Sequence, residues 1–560
     1  MFYESSSLER SGKVVPAYEG LKGYVTQSKL LEVPANVSRQ YCEYMTSGFS
    51  TSVRNHQKAI GQFLTPMPIA DSMTQECTKI ANFENSRSLR VIDPFCGDGR
   101  LLVALLRALA SLDDAPDKVD VVGWDIDSQI IGTANKAVRD ISKDLPFQVD
   151  VRIERKDAFN CASSLFATFD VCVTNPPWSS TKSLKEKAFE SHVEYEQYQD
   201  VANAYGRLLV ERFPEVKGGR SFGAGALNLS RFGIALSLRL LKETGICGIV
   251  MPSSFTADTT SSTLRMSIFQ HFNLHCLHYY PAELKLISGA DQAAVYMILS
   301  TCGLSQAAVV SHLLDREVVY ELDKPFWDYS SRYGWLVPLG YSDDEMKLIE
   351  KLSYLPTLDT FKSIKLGREV DETRIAERLC DQSPYRFVKG FMITCYRLSD
   401  SYRWYYDSAK SPVPQSASGE KVVWRDVSRV SQRKRVQATL LGPNHVAGNS
   451  LGIATCEDSH LLRAFLGVLN SSVFEFMART VLTTNHVSAG MLKRLPFPEM
   501  SDEGVKRLSA SVNDVLGNPY DVAALELVDK LVADAYGLTT EELEIARRSI
   551  KSSSQLTMEI

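Results

Sequence analysis

Asn175-Pro176-Pro177-Trp178 follows directly on the apolar run FDVCVT, and these four residues could do chemistry on an amino group. Two consecutive prolines remove two backbone donors and fix φ, so the carbonyls before and between them cannot be drawn into regular structure. The Asn175 side-chain oxygen and the Pro176 carbonyl can then accept from the two N–H bonds of one amine. Pro177 stiffens the turn, and Trp178 offers an aromatic face to a planar ring. An exocyclic amine is a poor nucleophile because its lone pair is delocalised into the ring, and two acceptors would localise that pair and aim it. The plainer alternative is a stiff loop leaving a strand and packed by a tryptophan.

A second constellation lies upstream. VIDPFCGDGRLLVALL predicts a strand, a turn containing Gly97 and Gly99, and a helix, a geometry that brings backbone N–H groups up to a ligand at a sheet's carboxyl edge. The next strand ends at Gly123-Trp124-Asp125-Ile126-Asp127, which places a carboxylate where it can accept from a ribose. A third strand ends at Lys156-Asp157-Ala158. Each acidic tip alone reads as a solvated loop residue, but in register beside a glycine turn they read as a small-molecule site.

From Arg90 to about Cys302, β-branched runs alternate with helical patterns, the signature of an α/β, mostly parallel, doubly wound sheet. LSRFGIALSLRLLKETG reads as a helix closing at Gly245, followed by the strands ICGIVMP and AAVYMILST. We divide the chain into an N-terminal arm (1–55) without sustained periodicity, a catalytic domain (56–340), a mixed α/β domain (341–500) and a helical segment (501–560).

Bulk properties exclude little. The 560 residues carry a net charge of −5, so a nucleic-acid partner would need a local basic face. Eleven cysteines stand singly, never as Cys-x-x-Cys and never with His at zinc-finger spacing, so reduced thiols and no metal are expected. The first residues lack a signal-peptide pattern, and no apolar run is long enough to span a bilayer. A cytoplasmic protein away from membranes is expected.

Together these motifs resemble the amino-group DNA methyltransferases of the gamma arrangement, the adenine-N6 type found in type II restriction-modification systems. GQFLTPMPIADSM resembles that family's motif ten, which implicates Thr65 and Pro66 in walling the cofactor pocket. The resemblance implies an S-adenosylmethionine-dependent methyltransferase fold followed by a target-recognition domain. It further implies that Asp93, Cys96 and Gly97 surround the methionine moiety of S-adenosyl-L-methionine, with Gly99 also among the cofactor-binding residues. Asp125 would hold the ribose, Ile126 would pack on the adenine, and Asp157 with Ala158 would meet the adenine amino group. Asn175 and Pro176 would bind the target amine and Trp178 would stack on the target base. Tryptophan is the less usual choice there, and no second stacking aromatic is identified between Met251 and Gln292.

A base inside a duplex cannot reach such a pocket, so it must be rotated out of the stack. The stretch VVWRDVSRVSQRKRVQATLLGPNHVAGNS concentrates Arg425, Arg429, Arg433, Lys434 and Arg435, with Lys421 just ahead, and suits contacts to double-stranded DNA. The rivals are an N4-cytosine enzyme, an RNA or protein-glutamine methyltransferase, and a specificity subunit without catalysis. A fused nuclease would need its own metal site. The pair Glu283 and Lys285 lacks the accompanying Pro-Asp and is read as structural, inside the sheet. We therefore expect a monomer whose cognate restriction endonuclease is a separate chain.

Overall fold

Valine- and isoleucine-rich runs separated by helix-length segments can bury both faces of a sheet only if the helices cover it on two sides. The computed structural model describes residues 33–46, 61–81, 87–217, 227–287, 292–301, 307–371, 379–400, 404–408, 412–428, 432–482 and 486–555. They form two compact units. One runs to Glu317 and adds Glu321–Asp323 and Gly334–Leu336, and the other holds Val318–Tyr320, Lys324–Tyr333 and the chain from Val337 on.

In the first unit β1 (Ser88–Asp93), β2 (Lys118–Asp125), β3 (Gln148–Arg155), β4 (Phe169–Thr174) and β5 (Leu241–Pro252) pair in parallel in the order β3-β2-β1-β4-β5. Beyond β5 lie β7 (Ala294–Ser300), then β6 (Asn273–Tyr280), then β8 (Ala308–His312). β7 runs antiparallel to both its neighbours, and β8 parallel to β6. The chain moves outward from β1 to β3 and then crosses back to β4. The carboxyl ends of β1 and β4 therefore flank the topological switch point, where an open α/β sheet leaves a crevice. Helix α3 (Arg100–Ala110) buries Leu101, Leu102, Leu105, Leu106 and Leu109 against Val91, Val121 and Val171 of the sheet. At about 1.5–3 kcal/mol for each such side chain, packing outweighs helix propensity in fixing α3.

Three elements differ from expectation. The arm read as irregular contains α1 (Ala35–Thr46), which buries Ser38, Tyr41 and Met45. A 21-residue helix without strong amphipathic periodicity, α5 (His192–Arg212), packs against α1. Helix α6 (Leu229–Leu240) ends at Leu240, and Gly245 lies inside β5. There, pairing with β4 shifts register between Phe169 and Val171, so sheet pairing overrides the helical pattern of residues 241–245. Glu283 lies in a 3-10 turn after β6, followed by Lys285 at φ 50°, and not within a strand.

In the second unit β9 (Lys365–Gly367), β10 (Lys421–Arg425), β11 (Ala438–Leu441) and β12 (Leu451–Thr455) form an antiparallel sheet in the order β9-β12-β10-β11. Gly452 on β12 is obligatory: a Cβ there would sit 2.1 Å from the Trp424 ring, whose Nε1 donates to the Val487 carbonyl at 2.8 Å. Helices α7 (Ser459–Leu469) and α8 (Ser472–Val481) are largely buried, and the helices of residues 502–555 pack against them. Among the described residues no single helix is long and apolar enough to cross a membrane.

Part of the basic stretch is internal. Lys421 is buried and donates to Glu369 at 2.5 Å and to the His445 carbonyl at 2.6 Å. Arg435 is buried, and its guanidinium donates to the carbonyls of Leu482 and Ser428. Its own backbone N–H donates to Glu475, and burial lowers its pKa to about 10. Lys434 donates to the Asn470 carbonyl. Arg425 is half-buried, Arg433 is exposed, and Arg429 lies outside the described residues. Lys434 and Arg435, expected to face DNA, are thus held by interior carbonyls that need donors more than the surface needs charge.

Removing one partner of a buried ion pair strands the other charge. Glu369→Ala should cost about 3–5 kcal/mol in urea denaturation, and adding Lys421→Met to it should restore most of the loss. A Glu369→Ala variant as stable as the parent would refute this account of the second unit's core.

Candidate active site

At the switch point the chain after β1 turns through Gly97 (φ 49°) and Gly99 (φ 84°), both left-handed. A Cβ on Gly99 would come within 3.1 Å of the Ala134 backbone in α4 (Ser128–Ser142), so glycine also allows α3 and α4 to approach closely. Two cross-ties fix the turn against β2: the Cys96 N–H donates to the Trp124 carbonyl at 2.8 Å, and the Gly97 N–H to Asp125 Oδ2 at 3.0 Å. Arg100 is clamped on Asp98 and reaches the Thr65 carbonyl at 2.8 Å, tying the segment before α2 (Met67–Ile80) to the same turn.

The carboxylates that end the strands are buried and differently satisfied. Asp93 Oδ1 accepts from Thr174 Oγ1 at 2.7 Å and from the Phe95 N–H at 3.0 Å, whereas its Oδ2 is buried without a partner. Burial, with Asp125 and Asp98 nearby, pushes its pKa up to about 7. Asp125 accepts backbone N–H groups on both oxygens, from Gly97 and Asp127, yet burial still raises it to about 6. Asp157 accepts from Ser38 Oγ at 2.6 Å, Tyr205 Oη at 3.0 Å and the Phe159 N–H at 3.0 Å, and burial raises its pKa as well. Burial thus raises the neighbouring Asp93 and Asp125 carboxyls, and a cation beside them would favour their ionised forms.

Asn175, just past β4, is oriented by its own amide. Its Nδ2 donates to the Phe63 carbonyl at 2.7 Å and to Thr65 Oγ1 at 3.1 Å, which leaves Oδ1 buried, unpartnered and turned away from those acceptors. Pro176 fills the space over Gly233 of α6, where a Cβ would lie 2.3 Å from the Pro176 Cβ. The Trp178 N–H donates to the Gly61 carbonyl at 3.1 Å, and Gly61 (φ 73°) is forced to be glycine because a Cβ would meet Trp178 N at 2.7 Å. The indole of Trp178 is only 8% exposed and packs beside Phe63, ring centroids 5.5 Å apart.

A pocket of roughly 890 Å³ unites most of the predicted residues. Thr65, Asp93, Cys96, Gly97, Asp125, Ile126, Asp157, Ala158, Asn175 and Pro177 line it. Pro66, Gly99, Pro176 and Trp178 are not among its lining residues, and Pro66 and Gly99 cap the starts of α2 and α3. The sequence reading missed the wall supplied by α1 and α5, where Tyr41 and Tyr205 stack at 4.0 Å, and the apolar contributions of Phe63, Phe95, Phe159 and Leu229. The one available signal was the seven-residue spacing of Tyr198 and Tyr205, two helical turns within a helix that went unassigned.

Residues 37–207 match the family model described as N-6 DNA Methylase. The type II methyltransferase M.BanIII of Aneurinibacillus aneurinilyticus is 22% identical over 251 residues, covering 43% of this chain and 38% of that protein. M.VspI of Vibrio sp. (strain 343), also a type II methyltransferase, is 25% identical over 179 residues, 30% of this chain and 39% of its own length. This chain therefore spans about two fifths of each of these relatives. In fold it resembles the type IIL restriction-modification enzyme MmeI, solved in complex with DNA, with a TM-score of 0.52 and 13% identity over 94% of this chain and 78% of that one.

The raised Asp93 and Asp125 carboxyls cost stability once they ionise. Their folded pKa values, about 7 and about 6, lie above the unfolded value, so stability falls as pH rises from about 4 towards 8. Asp93→Asn keeps the acceptor for Thr174 and should melt higher than the parent at pH 8 and about equal to it at pH 5, measured by calorimetry. Equal melting at both pH values would mean that Asp93 is not held near neutrality.

Proposed function

We propose that this chain, whose residues 37–207 carry the N-6 DNA Methylase pattern, binds S-adenosylmethionine in the switch-point pocket and methylates adenine N6 within a specific sequence of double-stranded DNA. The observation that carries the reading is the buried, unpartnered Asn175 Oδ1 at the pocket. The residues present fit the cofactor: the glycine turn meets it with backbone, Ile126 and Phe95 offer apolar faces, and the Asp93 and Asp125 carboxyls favour its cationic groups. When bound, the cofactor supplies an electrophilic methyl group on a sulfonium, with no metal required.

The protein's own contribution is placement. With both N–H donors of its amide engaged, Asn175 can only accept, and its oxygen takes one hydrogen of the target amine while the Pro176 carbonyl takes the other. Those bonds strengthen as the nitrogen becomes positive in the transition state, the condition under which binding energy accelerates a reaction. Trp178 props the loop from behind through its contact with Phe63, and its stacking on a flipped base requires the indole to leave that packing. Flipping costs a few kcal/mol, which contacts to the DNA must offset. Arg433 and Arg425, with Arg429, are the candidates from the basic stretch. We further propose a cytoplasmic monomer serving a restriction-modification system whose endonuclease is a separate chain.

Incubating the chain with labelled cofactor and unmodified plasmid DNA, then digesting to nucleosides, should place label in N6-methyladenine. Asn175→Ala should lower that rate by about 10²–10³-fold, with circular dichroism checking that the variant, which loses the bonds to Phe63 and Thr65, is folded. Label in N4-methylcytosine would keep the mechanism and replace the substrate, whereas labelled RNA or protein alone would refute the proposal. Cofactor affinity should rise from pH 6 to pH 8, because a cation beside Asp93 must displace a proton from a carboxyl near pH 7. Titration calorimetry showing weaker binding at pH 8 would separate the cofactor's cationic groups from Asp93.

A further inference from the structure

In the first unit β6 presents Cys276 and His278 on one face, two residues apart, beside Glu76 of α2. Cys276 Sγ lies 3.0 Å from Glu76 Oε2, and His278 Nε2 lies 3.3 Å from Glu76 Oε1, with one donor atom from each residue within 4.8 Å of the others. Around zinc, with sulfur at about 2.3 Å and nitrogen or oxygen at about 2.0–2.1 Å, tetrahedral donors stand about 3.3–3.6 Å apart. Two of these edges, each to a different Glu76 oxygen, are near that spacing, and the three ligand atoms converge to within 4.8 Å. Glu76 and Cys276 are half-exposed, which leaves a way in for the ion and a fourth position for water.

We propose that Glu76, Cys276 and His278 form a zinc site, tying α2 to the sheet. A thiolate, an imidazole and a carboxylate suit zinc better than magnesium or calcium, which prefer all-oxygen shells. The surroundings are built as outer shells of such sites are: His278 Nδ1 lies 2.9 Å from His312 Nε2, and His312 Nδ1 lies 3.0 Å from Glu317 Oε2. Tyr296 stacks on His278 at 4.4 Å and Tyr280 on His312 at 4.5 Å, so neither ring is free to turn.

With His278 Nδ1 turned to His312, Nε2 is the nitrogen that faces Glu76 and would take the metal. The Cys276 thiol surrenders its proton to solvent as the sulfur takes the metal. The usual sequence signature is absent because the third ligand lies 200 residues from the cysteine.

The test uses the full chain stripped by a chelator and titrated with Co²⁺, which gives a thiolate-to-metal absorption band, then displaced by Zn²⁺. We expect about one ion per chain, a band that disappears in Cys276→Ser, and zinc affinity lowered at least about tenfold in Cys276→Ser and Glu76→Gln. His312→Ala should keep the band and weaken zinc by about 10–100-fold. Near-ultraviolet circular dichroism shows whether each variant is folded, and the isosteric Glu76→Gln reports should another fail. No band in the parent, or a band that survives in Cys276→Ser, would overturn the site.

Discussion

The candidate active site depends on one hydrogen-bonding choice: the Asn175 amide gives its two donors to Phe63 O and Thr65 Oγ1. A carboxamide carries two donors and one acceptor, so engaging both donors inside the protein leaves an oxygen that can only accept. Much of the local structure serves that choice. Gly61 lets the chain before Phe63 run against the loop after Asn175, the Arg100 bond to the Thr65 carbonyl holds the hydroxyl's backbone in place, and Pro176 is wedged over Gly233. The oxygen's burial without a partner is a local cost, and the surrounding core stabilises it in the absence of any ligand.

The cofactor crevice is governed by the complementary logic. Asp125 is shared between the Gly97 and Asp127 amides, which joins the ends of β1 and β2, while Asp93 bridges β1 to β4 through Thr174. The same carboxylates that close the sheet's carboxyl edge therefore set its charge. Their raised pKa values follow from being structural groups in a dry place, and a cationic ligand gains from the tension that folding leaves behind.

The parallel sheet was legible because buried β-branched runs and the Gly97–Gly99 turn are dictated locally, and Asn175-Pro176 declared itself through proline's missing donors. What escaped the sequence reading was decided by distant partners. Helix α5 escaped notice because its buried face, Tyr198, Ala202, Tyr205, Gly206, Leu209 and Arg212, is built largely from residues that are not strongly apolar. Gly245 lies in β5 at the irregular stretch where pairing with β4 jumps from Leu241 to Ile246, and its carbonyl accepts from the Thr301 N–H. The basic run misled because local charge density does not say which side chains point inward, and Lys421 and Arg435 meet carbonyls and carboxylates that only the folded chain assembles.

One contact has a consequence for biosynthesis. Asp157 is held by Ser38 from α1, 119 residues earlier, and by Tyr205 from α5, 48 residues later. The pocket wall therefore closes a long loop whose cost is repaid only after α5 has formed, so β1, β2 and β3 can pair on an emerging chain well before the crevice is complete. A nascent chain thus lacks a finished pocket wall while β1 to β4 are being made and gains it only once α5 has followed them, before β5 to β8 are synthesised.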